Sequence, residues 1–278
     1  MTGFVLWQCL LLLMPGGAVG QTTYSLAPGV DLRDELDHAL SDFDQAQAFQ
    51  AEQPDRARRL FRSAAQRFES LRAAGVRNGR LEYNLGNCLL QAGDVGRAIL
   101  HYRRAQRLIP GDPMLEDNLG VARSRCVTAI KPAGRSAFLR SAFFWHYRTS
   151  AAGRMRAALI SFFGIWVFLA LRNFVRTGTA TALAVGCAAL MLLLAGSLAV
   201  SHWSDRNTPD GVVIEMDVVV SKGPGEGYQR LFEQPLQPGV EFTVRDRTRG
   251  GWWKIELPDG NRGWIPADAA ELIPDSAG

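Results

Sequence analysis

Histidine is scarce in this sequence, and no histidine has the neighbours of a catalytic or metal site. The four histidines are scattered along the chain, at His38, His101, His146 and His202. No cysteine or serine has a base placed to activate it as a nucleophile, and no glycine-rich loop that would cradle a phosphate is present. We therefore expect a protein that is not an enzyme and that has no cofactor and no metal site.

Cysteine is equally sparse, with four residues in the chain. Cys9 lies in an apolar N-terminal run, Cys187 lies in a later apolar run, and Cys88 and Cys126 lie in predicted helices. This placement excludes a disulfide framework. We interpret Cys88 and Cys126 as small packing residues, and an oxidised pair between them is the less favoured alternative.

Lysine is the third scarcity. Only three of the 31 basic residues are lysines, and the formal net charge is +4. A genome rich in G and C would give this arginine bias without a functional cause. The alternative is an arginine-rich helical surface that meets acidic partners or anionic lipid.

Residues 1–20 have the features of an export signal. The apolar run at 4–14 is too short for a membrane span, and Ala18 and Gly20 suit cleavage before Gln21. The Lys or Arg that usually precedes such a run is absent. We predict a cleaved signal peptide over residues 1–20.

Residues 31–130 predict a helical domain, because they are rich in strong helix formers and have apolar positions at three- and four-residue steps. The stretch 83–110 matches the spacing of a tetratricopeptide repeat. The matching residues are Leu85, Gly86, Ala98, Tyr102, Ala105 and Pro110. The triplet at 118–120 repeats the triplet at 84–86 one period of about 34 residues later. We predict about two and a half repeats.

Small residues in this pattern allow close helix crossings, as at Gly86 and Ala98. In such arrays the first helices line a concave groove. The groove candidates, which are able to hydrogen-bond the backbone of an extended peptide, are Asn84, Asn87, Gln91 and Asn118. The alternative is that they are ordinary surface or local capping positions.

Two apolar runs predict a transmembrane hairpin at residues 157–200. The first, 157–171, is short and spans a bilayer only if the flanking arginines snorkel, whereas the second, 178–200, is long enough and uncharged. A hairpin returns the chain to the side from which it came. The flanking domains are therefore expected to share a compartment.

The segment 131–156 precedes this hairpin and is aromatic and basic. Its cluster at 143–147 would settle at the lipid headgroups, or would alternatively cover the last repeat as an apolar lid. The arginines at 148–156 would place the soluble domains in the cytoplasm, whereas a cleaved signal places them outside. We follow the signal and expect a multi-pass protein of a bacterial inner membrane with both soluble domains in the periplasm.

Residues 211–275 predict a small all-β barrel. Turn residues rich in Gly, Pro and Asn separate five alternating segments. These segments are 212–216, 218–221, 241–246, 252–257 and 263–266.

The stretches VVVSKGPGEGY, PGVEFTV and GWWKIELPDGNRGWIPADAAELI resemble the bacterial SH3-like domain. The resemblance implies a module that binds peptides or cell-wall material. Its aromatic candidates are Tyr228, Trp252, Trp253 and Trp264. Strand alternation places one of the two adjacent tryptophans in the core and the other at the surface.

Taken together, the signal, helical repeat, membrane hairpin and SH3-like tail resemble the BatE-type aerotolerance family along nearly the whole chain. The expected fold class is multi-domain: an all-α tetratricopeptide-like repeat, a two-helix transmembrane hairpin and an all-β SH3-like barrel. The resemblance implies a membrane assembly with von Willebrand A-domain proteins and a MoxR-type ATPase, with a role in envelope integrity or oxidative-stress tolerance.

The predicted function is therefore a membrane-anchored protein–protein interaction scaffold. The alternative is a cell-wall-binding module that recruits or regulates peptidoglycan enzymes. Nucleic acid is not an expected partner, because the positive helices would lie on the outer side of the membrane. A small-molecule substrate is not expected either.

Overall fold

The computed structural model describes residues 31–128, 130, 149–172 and 178–273. The predicted signal peptide and the aromatic cluster at 143–147 lie outside these residues. The described residues are mostly helical, with one antiparallel sheet at the C-terminal side. Their helices are α1 (Leu32–Phe49), α2 (Pro54–Ala73), α3 (Gly79–Ala92), α4 (Val95–Leu108), α5 (Pro113–Arg125), α6 (Ala151–Leu171) and α7 (Gly178–Asn207). Their strands are β1 (Asp210–Val213), β2 (Glu241–Arg249), β3 (Trp252–Glu256), β4 (Arg262–Pro266) and β5 (Ala270–Leu272).

Side-chain caps begin most of the helices in the first domain. The carboxylate of Asp94 accepts a hydrogen bond from the backbone N–H of Arg97, and Asp31, Asn78 and Asp112 cap α1, α3 and α5 in the same way. Gly93 ends α3 in the left-handed conformation, at a φ of 93° that suits glycine. The predicted helical character of this region is confirmed.

Helices α3 and α4 cross closely at Gly86. A Cβ atom added there would lie 2.7 Å from the ring of Tyr102, so the aromatic ring of α4 occupies the space that a side chain on α3 would need. Gly120 of α5 has the same sequence context, but nothing lies within 4 Å of its Cβ position. The repeated triplet therefore has a packing role in α3 that its copy in α5 does not share.

Helix α4 is buried on almost every side, because the sheet covers the face that α3 and α5 leave open. Ile99 and Leu119 from the helices share one hydrophobic cluster with Val212 of β1 and Ile273. Burial of these side chains on both sides is the main stabilising term of the contact. The helical domain and the sheet therefore form one packed unit.

The sheet has the strand order β4-β3-β2-β1-β5, and all neighbours are antiparallel. Three predicted segments coincide with β2, β3 and β4. The prediction of a strand at 218–221 is wrong: this segment makes only isolated bridges, because Asp217 takes a φ of 56° and turns the chain out of the ladder. Strand β5 was not predicted, and it pairs with β1.

Helices α6 and α7 pack as an antiparallel pair. Arg154, near the start of α6, donates to the hydroxyls of Ser197 and Ser201, near the end of α7, at 3.1 and 2.9 Å. Gly164 permits close approach at mid-length, since a Cβ there would lie 3.1 Å from Sγ of Cys187.

Both of these helices are long and apolar enough to cross a membrane. Only 11% and 17% of their apolar windows are buried in the protein, so neither is the core helix of a water-soluble domain. Helix α6 begins at Ala151 and has 21 residues, but its first six include Arg154 and Arg156, so the uncharged apolar run is still the one at 157–171. Only residues 208 and 209 separate α7 from β1, and Arg247 of β2 donates to the carbonyl of Arg206 at 3.0 Å.

Candidate functional site

A cleft of about 760 Å³ lies on the sheet domain. Its walls come from the loop at 215–230, from Trp252 at the start of β3, and from residues 266–269 after β4. This volume lies within the range of ligand-binding pockets in proteins. We take this surface as the candidate site and call it the acidic cleft, for the charges described below.

The loop that forms one wall is fixed at both ends. The carboxylate of Asp217 accepts a hydrogen bond from the amide of Gln237 at 2.6 Å, and Val218 and Leu236 exchange backbone hydrogen bonds. Further along, Ser221 and Trp264 exchange backbone hydrogen bonds at 2.9 and 2.8 Å. These hydrogen bonds therefore hold the loop in a defined position against the sheet.

Tyr228 lies at the mouth of the acidic cleft and is 55% exposed. Its ring lies against the backbone of Gly223, and a Cβ atom at Gly223 would collide with it. The backbone pair between Lys222 and Gln229 closes the small turn that carries it. Glycine at 223 therefore fixes where the tyrosine ring stands.

Four carboxylates give the cleft its charge. They are Glu215, Asp217, Glu226 and Asp268. All are exposed, and within the described residues none of them forms an ion pair. Arg230 is the one basic residue in the lining. The cleft therefore attracts positive charge.

The predicted aromatic residues divide into two groups. Tyr228 and Trp252 both line the acidic cleft. Trp253 packs against the hydrophobic core of the sheet, but it is half-buried, as Trp252 is, so the predicted division into one core and one surface tryptophan is found only in part. Trp264 is 8% exposed, and the ammonium of Lys254 lies 5.9 Å from its ring centroid. Two of the four candidates therefore lie together in the cleft, and the other two do not line it.

Two of the four predicted groove residues of the helical domain, Asn87 and Asn118, are engaged with each other. Oδ1 of Asn87 accepts from the hydroxyl of Tyr102 at 2.8 Å and from the amide of Asn118 at 2.9 Å. The same amide of Asn118 donates to the hydroxyl of Tyr83 at 2.9 Å. These contacts tie α3, α4 and α5 together, so the two asparagines have a structural role.

Burial and the nearby Tyr83 and Cys88 raise the pKa of Tyr102 well above its ordinary value, so its hydroxyl remains a donor. Gln91 accepts from Gln50 at 3.0 Å, at the exposed rim. Asn84 is half-buried and, in the described part of the chain, has no hydrogen-bond partner for its side chain. Asn84 is thus the groove candidate with most capacity for a partner.

A buried contact between a histidine and a carboxylate escaped the sequence-based prediction. Nδ1 of His101 lies 2.7 Å from Oε2 of Glu82, and the two side chains are each 6% exposed. This pair links α3 to α4 inside the helical domain. Across residues 31–128, 130, 149–172 and 178–273, no group of three His, Cys, Asp or Glu side chains could hold a metal ion.

The carboxylates of the acidic cleft also escaped prediction. Glu215, Asp217 and Glu226 fall within one twelve-residue stretch, a spacing that would have flagged an acidic loop. Asp268 joins them only through the fold, because β4 and the following turn return the chain to this wall.

No family model, curated protein or solved structure matches this chain.

Proposed function

We propose that this chain is a membrane-anchored scaffold that presents partner-binding surfaces at a bacterial inner membrane. The helical domain serves as a tetratricopeptide-type array, and the sheet domain serves as an SH3-like module. The observation that carries the proposal is the shared hydrophobic core of Ile99, Leu119, Val212 and Ile273. It makes one rigid body of two modules, each with a surface able to take a partner.

The anchor is the pair α6 and α7. Because the two helices are antiparallel, the start of α6 and the end of α7 lie at the same end of the pair. The helical domain precedes α6 and the sheet follows α7, and their direct contact supports a placement of both on one side of a membrane. That contact is independent support for the shared compartment.

Polar contacts add specificity to the joint between the modules. The guanidinium of Arg104 bonds the carbonyls of Leu272 and Ile273, and Glu241 pairs with Arg103 and Arg123. Such an interface favours one docking geometry over many. A scaffold needs this property, because it must hold its partners in a fixed relation.

The side of the membrane follows from the predicted signal peptide, and the partners follow from the sequence resemblance. We assign the soluble unit to the periplasm, and its partners to von Willebrand A-domain membrane proteins that work with a MoxR-type ATPase. The assembly would serve envelope integrity or oxidative-stress tolerance. Spheroplast proteolysis tests the topology: both soluble domains should be digested together, and digestion of one alone would contradict it.

A second function, cell-wall binding that recruits peptidoglycan enzymes, is favoured by the aromatic lining of the acidic cleft. Tyr228 and Trp252 offer flat ring surfaces of the kind that stack on ligands in extended sites. Cell-wall binding would need only the sheet domain. The scaffold reading uses both modules and their joint.

Site-specific photocrosslinking in intact cells separates the two functions. A photoreactive residue at Asn84 or Tyr228 of the full chain should capture von Willebrand A-domain proteins, whereas one at Asp259, exposed and outside the cleft, should not. Capture of peptidoglycan at Tyr228, with no protein captured at either position, would favour the cell-wall function. Equal capture at all three positions would contradict a specific scaffold.

A further inference from the structure

We propose that the acidic cleft binds an extended, lysine- or arginine-bearing segment of a partner protein. The inference rests on the proposed scaffold function and names the chemistry of one of its docking sites. It depends on three observations: an open cavity, carboxylates that form no ion pair with the described residues, and two aromatic rings in the lining.

The charge of the acidic cleft runs against that of the chain. The whole sequence has a formal net charge of +4, yet four carboxylates and one guanidinium line this cavity. The acidic lining is therefore a local feature and not a consequence of an acidic protein. A positive partner segment would gain both steering and contact energy from it.

These carboxylates are available to a ligand. Other acidic residues of the sheet domain are used internally: Glu256 pairs with Arg245 and Arg262, and Glu241 pairs with arginines of the helical domain. Asp217 receives only the neutral amide of Gln237, so its negative charge is not cancelled. The cleft thus differs from the surroundings of Glu241 and Glu256, where carboxylates and guanidinium groups are matched.

A single metal ion is not the occupant that this arrangement fits. The carboxylates are distributed along the walls, and the described residues contain no group of three that converges on one point. Metal binding requires several ligand oxygens at one short distance. Several charges along an open cleft instead match several positive groups along an extended chain.

The aromatic rings supply the second element of recognition. Tyr228 and the half-buried Trp252 lie among the carboxylates in the same cleft. Cations of lysine and arginine bind favourably over the faces of tyrosine and tryptophan, while the ring surfaces also cover the aliphatic stems. A positively charged side chain satisfies both the acidic and the aromatic lining, whereas an acidic or purely apolar segment satisfies at most one.

The test uses the full chain in uncharged nanodiscs and fluorescent decapeptides that alternate lysine with glycine. Fluorescence anisotropy should show saturable binding of the lysine peptide, and binding should weaken at least tenfold when the lysines are acetylated or replaced by glutamate. Because ion pairing is screened, affinity should fall as salt rises. Equal binding of the acetylated peptide would overturn the proposal.

Matched variants locate the peptide. The pair Asp217→Asn and Glu226→Gln removes two charges, and asparagine tolerates the positive φ of position 217 and keeps an oxygen for Gln237. We expect at least tenfold weaker binding for this double variant. Glu233→Gln, at an exposed position outside the cleft, should bind as the parent does. Equal losses in both variants would overturn the cleft assignment.

A third variant, Trp252→Phe, keeps a ring but reduces the cation–π attraction, and a twofold to tenfold loss of peptide affinity is expected.

Purified peptidoglycan provides a competitor: if it displaces the lysine peptide from the cleft, the partner-segment assignment is wrong. If the peptide does not bind but Asn84 still crosslinks to von Willebrand A-domain proteins, this inference is wrong and the scaffold function is retained. If the peptide binds but no crosslink forms at Asn84 or Tyr228, the scaffold function is wrong and the acidic cleft is retained as a site for cationic peptides.

Discussion

Nη2 of Arg104 donates a hydrogen bond to the backbone carbonyl of Leu272 at 2.9 Å. The same guanidinium lies 3.4 Å from the carbonyl of Ile273 through Nε and 3.3 Å from the carboxylate of Glu271. Arg104 is 8% exposed, so this contact between α4 and the last strand is made away from water. One helical side chain therefore closes the C-terminal strand onto the helical domain.

Replacement of Arg104 by alanine should weaken the joint between the modules. The change leaves buried carbonyls without a donor, which costs about 2–4 kcal/mol in the free energy of unfolding. Denaturant unfolding of the full chain in detergent measures the loss, and the transitions of the two modules should separate. Arg97→Ala, at an exposed position of the same helix, is the matched control. A single unchanged transition for Arg104→Ala would contradict the role of this residue.

Two glycines in the same sequence context should respond oppositely to alanine. Gly86→Ala forces a methyl group against the ring of Tyr102 and should cost about 1–3 kcal/mol. Gly120→Ala meets nothing within 4 Å and should stabilise by roughly 0.5–1 kcal/mol through helix propensity. Thermal unfolding of the full chain in detergent resolves the difference. Equal effects would contradict the close crossing of α3 and α4.

Alkaline pH should destabilise the helical domain through Cys88. Burial raises the pKa of this thiol to about 12, above its ordinary value of about 9. Below pH 9 both folded and unfolded chains keep the proton and stability is unaffected. Between about pH 9 and 12 the unfolded thiol ionises while the folded one does not, so the free energy of unfolding falls. Cys88→Ala should show a shallower fall, and identical pH profiles would show that the thiol makes no contribution.

The close approach of α6 and α7 predicts an engineered disulfide. A Cβ atom at position 164 would lie 3.9 Å from Cβ of Cys187, which matches disulfide geometry. Gly164→Cys should therefore crosslink to Cys187 on oxidation, as detected by mass spectrometry of peptides. Gly196→Cys has nothing within 4 Å and should remain unpaired with Cys187. A crosslink in the control alone would contradict the antiparallel packing.

The sequence predicted the helices better than the joint between modules. Helical spacing is a local signal, and the structure confirms the helical character that it predicted. The joint depends on α4 burying residues all around its circumference, including Ile99, Leu100 and Tyr102. The sequence pattern predicts solvent exposure for the polar side of this helix, yet His101 and Arg104 on that side are only 4% and 8% exposed. Local pattern therefore does not identify the elements that cover the helix.

The acidic cleft was predicted only in its aromatic half. Tyr228 and Trp252 stand out by residue type. The carboxylates form one acidic lining only because the fold brings the loop and the end of β4 together. The strand assignment at 218–221 failed for a related reason: alternation was present, but the positive φ of Asp217 diverted the backbone. Long-range placement, and not local preference, decided both outcomes.

The two-residue connection between α7 and β1 sets how the soluble unit sits on its anchor. The hydrogen bond from Arg247 to the carbonyl of Arg206 holds the sheet against the end of the helix. It restricts the rotation between sheet and helix that a longer linker would allow. A tilt or rotation of α7 would therefore be transmitted directly to the sheet and, through Arg104, to the helices beyond it. The short connection therefore limits how far the soluble unit can extend from the membrane, but it fixes the orientation in which neighbouring proteins meet it.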